Sequence, residues 1–178
     1  AIARDYVCHG LRGCHGWRFR DPLGEMNVGE CDMGTDVPIH VLIVEDSEND
    51  TLLTVQELKR SGYVPVYERV ETLEMMVAAI PRKAWDIVIA DYSMPKFSGL
   101  AAIRLIHEVG LDLPVIVVSG AIGEETAVAA MKAGAADYVM KGNLARLGPA
   151  IQRELREVQE RRERRKAEAA LRRTEVEL

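Results

Sequence analysis

Four apolar runs in this chain each stop at a residue that can do chemistry. Residues 41–44 stop at Glu45 and Asp46, residues 87–90 at Asp91, residues 115–118 at Ser119, and residues 138–140 at Lys141. Short β-branched runs of this kind read as buried parallel strands, and ligands in open α/β sheets bind at the C-terminal edge of such strands. Three carboxylates brought to one edge repel each other unless a cation joins them. Two acids, a backbone carbonyl and waters make an oxygen-rich octahedral site suited to Mg²⁺. A lysine amine and a serine hydroxyl beside that site would bind phosphoryl oxygens. The remaining carboxylate can attack phosphorus and become an acyl phosphate. Each residue also has a plain reading: Asp91, Glu45 and Asp46 as helix-start acids, Ser119 as a turn residue, Lys141 as a surface lysine. Together, at successive strand ends, they point to one site.

The elements that must position these residues alternate regularly. Residues 39–44 read as a strand, and Ser47 suits a helix N-cap with Asp50 three residues on. Leu52, Leu53, Val55, Gln56 and Leu58 mark a helical face that Ser61-Gly62 closes. Residues 63–70 form a second strand, placed at a sheet edge by Pro65. Thr72 caps a helix carrying Leu73, Met76, Val77 and Ile80, ended by Pro81. Residues 86–90 form the strand before Asp91, and Pro95 and Gly99 punctuate the loop behind it. A helix through Leu100, Ile103, Leu105 and Ile106 stops at Gly110. Residues 113–118, an Ala-rich helix over 124–133 and a short strand over 137–140 complete the series. Five β-then-α units predict an α/β fold with a parallel sheet covered on both faces.

Residues 144–178 read as helix, and the part from Pro149 is about 30 residues or roughly 45 Å long. That outruns one small domain. Ile151, Leu155 and Val158 have the spacing of a coiled-coil seam, which predicts a homodimer through this helix or, alternatively, packing on the domain's own sheet. Glu157 with Arg161, and Glu160 with Arg164, can pair one turn apart. At the other end, residues 1–37 show no period and carry Cys8-His9-Gly10 and Cys14-His15-Gly16. Cys31 is the third cysteine, so the count is odd and no disulfide framework is expected. Adjacent Cys and His rarely point at one metal. Residues 1–37 are expected to be a disordered leader, a tag or an extension, with Met33 a natural start. A net charge of −5 gives no general attraction to nucleic acid. No apolar run spans a bilayer and no signal peptide is visible, so a cytoplasmic protein is expected.

Residues 38 to about 157 resemble a response-regulator receiver domain of two-component signalling. The resemblance is carried by Val41-Leu-Ile-Val-Glu-Asp-Ser47, Ile89-Ala-Asp-Tyr-Ser-Met-Pro95 with Gly99, Val117-Val-Ser-Gly-Ala121 and Ala136-Asp-Tyr-Val-Met-Lys141. It implies a flavodoxin-like (βα)5 fold, doubly wound, with strand order 2-1-3-4-5. The domain would occupy residues 38–148, and residues 149–178 would be an extended helix leading to an output module. The resemblance makes Asp91 the phosphoacceptor. It puts Mg²⁺ on Asp46, Asp91 and the backbone carbonyl of Ser93, with Glu45 acting through water. It gives Ser119 and Lys141 to the phosphoryl oxygens and makes Ser119 and Tyr138 the switch pair. The implied partner is a sensor histidine kinase or a histidine phosphotransfer protein, with no nucleic acid or membrane bound directly. The protein would be no enzyme beyond self-catalysed phosphotransfer and slow self-dephosphorylation. Two positions depart from the usual pattern: Glu45 stands where Asp is usual, and Gly142 follows the lysine where proline is typical.

Rival readings fit less well. A flavin site would want a Ser/Thr/Gly-rich phosphate loop after the first strand, but Glu45-Asp-Ser-Glu-Asn-Asp50 is acidic. An aspartyl phosphatase would want an acid two residues after Asp91, where Ser93 stands. A pseudo-receiver acting only as an interaction or dimerisation module would not need the full set of acids, Ser119 and Lys141.

Overall fold

The computed structural model describes residues 17–20, 26–29, 37–120 and 124–176. The chain divides into two units, residues 1–36 and 37–178. In the first, β1 (Trp17–Arg20) pairs antiparallel with β2 (Met26–Gly29). Sequence reading assigns no strand before residue 38, because runs of four residues are too short to display a period. Cys8, Cys14, Cys31, His9, His15 and Met33 lie outside the described residues.

In the second unit the strands are β3 (Val37–Val44), β4 (Tyr63–Val70), β5 (Ile87–Asp91), β6 (Val115–Ser119) and β7 (Asp137–Met140). They pair in parallel in the order β4-β3-β5-β6-β7, which is 2-1-3-4-5 counted within the unit. This is the flavodoxin-like arrangement that the motifs imply. β4 lies at the edge, as Pro65 predicts.

Alternation along the strands sends side chains into two cores, one on each face. Leu42, Val44, Val88, Ala90 and Val117 pack with α2 (Leu73–Ala79), α3 (Gly99–Val109) and α4 (Glu124–Lys132) through Met76, Ile103, Ile106 and Ala130. Ile39, Val41, Ile43, Ile89 and Val118 pack with α1 (Glu48–Arg60) and α5 (Leu147–Val176) through Val55, Leu58, Leu147 and Ile151. The sheet is therefore doubly wound.

Two expected helix faces are corrected. On α1 the buried residues are Thr51, Thr54, Val55 and Leu58, whereas Leu52 and Leu53 are exposed. The face set by positions 51, 54, 55 and 58 meets the sheet, and 52 and 53 fall outside that arc whatever their hydropathy. On α2, Met76 and Ala79 are buried while Leu73 and Val77 are exposed.

Helix α5 has 30 residues, and Pro149 sits in its first turn, where the missing N–H costs nothing. The seam expected between two chains is filled within one: Ile151 is fully buried in the α1-side core, Leu155 packs against it, and Val158 is buried. Arg161 pairs with Glu157 as expected, at 3.7 Å, and Arg164 pairs with Glu168. Asp112 also accepts hydrogen bonds from Arg161 and Arg165, both at 3.1 Å. Among the described residues no helix is long and apolar enough to cross a membrane.

Candidate functional site

Register brings the strand ends together. Val44 pairs with Ala90, so Glu45 follows beside Asp91. Asp91 pairs with Val118, and Ser119 with Met140, so Ser119 and Lys141 extend the same edge. The carboxylate oxygens of Glu45, Asp46 and Asp91 lie within 4.8 Å of one another. Glu45 and Asp91 are buried and Asp46 is exposed, which leaves the cluster open to solvent on one side.

Lys141 closes the cluster. Its Nζ donates to Asp91 Oδ2 at 2.8 Å and to Glu45 Oε2 at 2.9 Å. It also bonds Asp50 Oδ2, a partner from the first turn of α1. Burial works against the ammonium charge, but the bonds to Asp50, Asp91 and Glu45 outweigh it and hold the amine above its ordinary range. For Glu45 the balance is opposite. Burial raises its carboxyl above the ordinary 4.5, only partly offset by Lys141 and by the Ser47 N–H, and the neighbouring Asp91 charge adds to the rise.

The backbone supports both buried acids. Ser47 N–H donates to Glu45 Oε1 at 3.0 Å, and Ser93 N–H donates to Asp91 Oδ1 at 3.1 Å. Ser47 also caps α1, its Oγ accepting from Asp50 N–H at 3.2 Å. Behind Asp91, α3 begins at Gly99 against the strand end. A Cβ on Gly99 would sit 2.8 Å from the Asp91 carbonyl oxygen, so only glycine allows that approach.

Ser119 is fully buried and Tyr138 is half-buried against the α3-side core. Gly142 is the second residue of a 3₁₀ turn, Lys141–Arg146, and a Cβ there would meet nothing within 4 Å.

Two site residues escape sequence reading. Asp50 reads there as a helix-start acid, yet it bonds Lys141. Arg69 on β4 donates to the carbonyls of Glu45 at 3.2 Å and Asp46 at 3.3 Å, and it pairs with Glu71. It thereby fixes the turn that carries both acids. Only strand adjacency could have signalled it, since Arg69 pairs in register with Ile43.

The donor set Glu45, Asp46 and Asp91 is all carboxylate oxygen, which fits a hard divalent cation such as Mg²⁺. An amine held against the same carboxylates fits a phosphoryl group better than a carbonyl substrate.

Residues 41–152, well over half of the chain, match the family of response regulator receiver domains. This chain belongs to that family. It contains a response regulator receiver domain of two-component signalling. Among relatives, it is 27% identical over 130 residues to a protein-glutamate methylesterase/protein-glutamine glutaminase of Rhodospirillum centenum, covering 72% of this chain and 33% of that one. It is 34% identical over 101 residues to the response regulator protein TodT of Pseudomonas putida, covering 57% and 44%. The chain thus spans less than half the length of these curated relatives. Among solved structures it is similar to the signal receiver domain of a Luxo repressor protein from Vibrio parahaemolyticus, with TM-score 0.60, 27% identity, and 69% and 94% of the two chains covered. A CheY-like receiver domain protein from Methanospirillum hungatei gives TM-score 0.59, 27% identity, and 69% and 98% covered. A BeF3-activated DrrB receiver domain gives 0.57, 25% identity, and 67% and 99% covered.

Proposed function

We propose that this receiver accepts a phosphoryl group on Asp91 from a phosphohistidine of a sensor histidine kinase or a histidine phosphotransfer protein in the cytoplasm. The observation that carries the reading is the Lys141 amine 2.8 Å from Asp91 Oδ2, inside a cluster whose Glu45, Asp46 and Asp91 oxygens lie within 4.8 Å. In the transfer, an Asp91 carboxylate oxygen attacks phosphorus in line. The phosphorus–nitrogen bond to the donor imidazole breaks with its electron pair staying on nitrogen, and the phosphohistidine ring, protonated on its other nitrogen, leaves as neutral imidazole. Asp91 becomes an acyl phosphate.

Lys141 leaves the attacking oxygen and holds a phosphoryl oxygen, and the Ser119 hydroxyl donates to another. Asp46, Asp91 and the Ser93 carbonyl would hold Mg²⁺, with Glu45 helping through water, and the bound ion would supply neutralisation of the charge on the transferring group. Ser93 N–H keeps Asp91 Oδ1 oriented. Ser119 then moves toward the phosphoryl group, Tyr138 follows into the space it leaves, and the change passes to α5 and an output module beyond it. The intact set of acids, Ser119 and Lys141 supports this reading over a pure interaction module.

The test is phosphoryl uptake from acetyl phosphate, followed by intact mass. The wild-type chain should gain one phosphoryl group with Mg²⁺ and none in a chelator. Asp91→Asn should gain none. Equal labelling of Asp91→Asn, or uptake that ignores the chelator, would refute the assignment. Thermal unfolding gives a second view: Mg²⁺ should raise the midpoint by linkage, and much less in Asp46→Ala.

A further inference from the structure

Asp50 is not among the residues the family motifs supply, yet it bonds the amine on which the chemistry turns. Lys141 has three N–H donors, and carboxylates take all three: Asp91, Glu45 and Asp50. Asp91 gives up its bond as its own oxygen attacks, but the donor this frees reaches a phosphoryl oxygen only if the amine shifts from where Glu45 and Asp50 hold it. Glu45 is buried and held at its other oxygen by the Ser47 N–H, so it has nowhere to go. Asp50 is the remaining competitor. Its backbone is pinned in the first turn of α1 by the bond from its N–H to Ser47 Oγ, and from there its side chain bonds Lys141. That side chain is 34% exposed, so water can replace Lys141 as its partner.

Charge acts in the same direction. Four carboxylates, Glu45, Asp46, Asp50 and Asp91, face one ammonium. Asp50 therefore leaves the edge one unit more negative than the motif residues alone would. That excess draws a divalent cation and repels a dianionic phosphoryl group.

We infer that Asp50 is a positioning residue for phosphoryl transfer: it competes with the incoming phosphoryl group for Lys141 and so sets how readily Asp91 is loaded. The inference rests on the reading of Asp91 as phosphoacceptor. It predicts a split that loosening of the α1 turn would not produce. Removing the Asp50 charge should speed loading when Mg²⁺ saturates, because Lys141 has one charge-assisted bond fewer to break. The same change should weaken Mg²⁺ binding, because an attracting charge is gone. A loosened turn would impair both.

The experiment uses the full chain with acetyl phosphate and follows uptake by intact mass across a Mg²⁺ titration, in wild type, Asp50→Asn and Asp50→Glu. Asp50→Asn should load about tenfold faster at saturating Mg²⁺, the rate equivalent of one charge-assisted bond, with a higher half-saturating Mg²⁺ concentration. Asp50→Glu keeps the charge and should stay close to wild type. If wild type loads and Asp50→Asn loads no faster at saturating Mg²⁺, Asp50 has no such role and the Asp91 reading stands. A speed-up shared equally by Asp50→Glu would also remove the competition argument. If wild type takes up nothing, the Asp91 reading falls and this inference falls with it.

Discussion

Arg153 on α5 donates from Nη2 to Asp137 Oδ2 at 2.8 Å, tying the long helix to the first residue of β7. The other Asp137 oxygen accepts from the Tyr138 N–H at 2.7 Å. One carboxylate thus touches both the backbone of the expected switch residue and the helix that leaves the domain. Arg153 also donates to Glu154 Oε1, at 3.0 Å from Nε and 2.9 Å from Nη2, and Glu154 is only 6% exposed. Those bonds, first to Glu154 and then to Asp137, hold the guanidinium above its ordinary range.

Replacing that arginine separates the two contacts. The Arg153 side chain is half exposed, so its pair with Asp137 is screened and contributes at most about 1 kcal/mol. Glu154 is different, since a buried carboxylate that loses its donor costs about 1–3 kcal/mol. Arg153→Met should therefore lose about 1–3 kcal/mol in urea unfolding at neutral pH. Adding Glu154→Gln to it should recover part of the loss. No recovery in the double variant would mean that the cost comes from the arginine stem and not from the stranded acid.

Asp112, in the loop after α3, receives Arg161 and Arg165 from successive turns of α5. Both arginines are more than a third exposed, so the latch adds little to global stability. Its effect is local. Asp112→Asn should leave the unfolding free energy within about 1 kcal/mol while speeding hydrogen exchange over residues 158–165. Unchanged exchange there would show that burial of Val158 alone holds this turn.

Much of the site is legible in the sequence because each polar residue ends an apolar run. Glu45 and Lys141 directly follow β3 and β7, Asp91 and Ser119 end β5 and β6, and parallel register does the rest. Asp50 and Arg69 are illegible for the opposite reason. Asp50 meets Lys141 across 91 residues, and Arg69 meets the Glu45 carbonyl across 24, so neither belongs to a local pattern. Hydropathy also misleads at Leu52 and Leu53, where the helix face is chosen by Thr51, Thr54, Val55 and Leu58 together. In the same way, heptad-like spacing in α5 does not tell a seam between chains from the groove of one chain's own sheet. Ile151 occupies the latter.

The pH behaviour of the metal-free protein should report Glu45. Its carboxyl is raised above 4.5, chiefly by burial. A raised acid means that the folded state binds the proton before the unfolded state does. Stability therefore rises as pH falls through the folded value toward 4.5, and the ionised form is the costly one at neutral pH. Glu45→Gln imitates the protonated form. In a chelator at pH 7 it should melt no lower than wild type, and its relative advantage should shrink on acidification. Saturating Mg²⁺ should reverse the order, because an ionised Glu45 is then favoured. A Glu45→Gln protein that melts well below wild type in the chelator would mean that the Lys141 bond outweighs burial.

Gly99 offers the sharpest steric test. The first residue of α3 lies against the end of β5, and its added Cβ would meet the Asp91 carbonyl oxygen at 2.8 Å and the carbonyl carbon at 3.3 Å. Both are backbone atoms at the end of β5, the central strand of the sheet, so neither can move aside as a side chain would. The helix start must lift instead, carrying the 92–98 loop with it. That loop holds Ser93, whose N–H orients Asp91 Oδ1. Gly99→Ala gains helix propensity of up to about 1 kcal/mol, but overpacking costs about 1–3 kcal/mol, so the clash decides and stability should fall. Loading of Asp91 should slow at the same time, because the oxygen that Ser93 orients is displaced. Gly99→Ser should behave alike, since it carries the same Cβ. Chemical denaturation and acetyl phosphate uptake on the two variants check both effects. Wild-type stability with wild-type loading in Gly99→Ala would show that α3 can withdraw without disturbing Asp91.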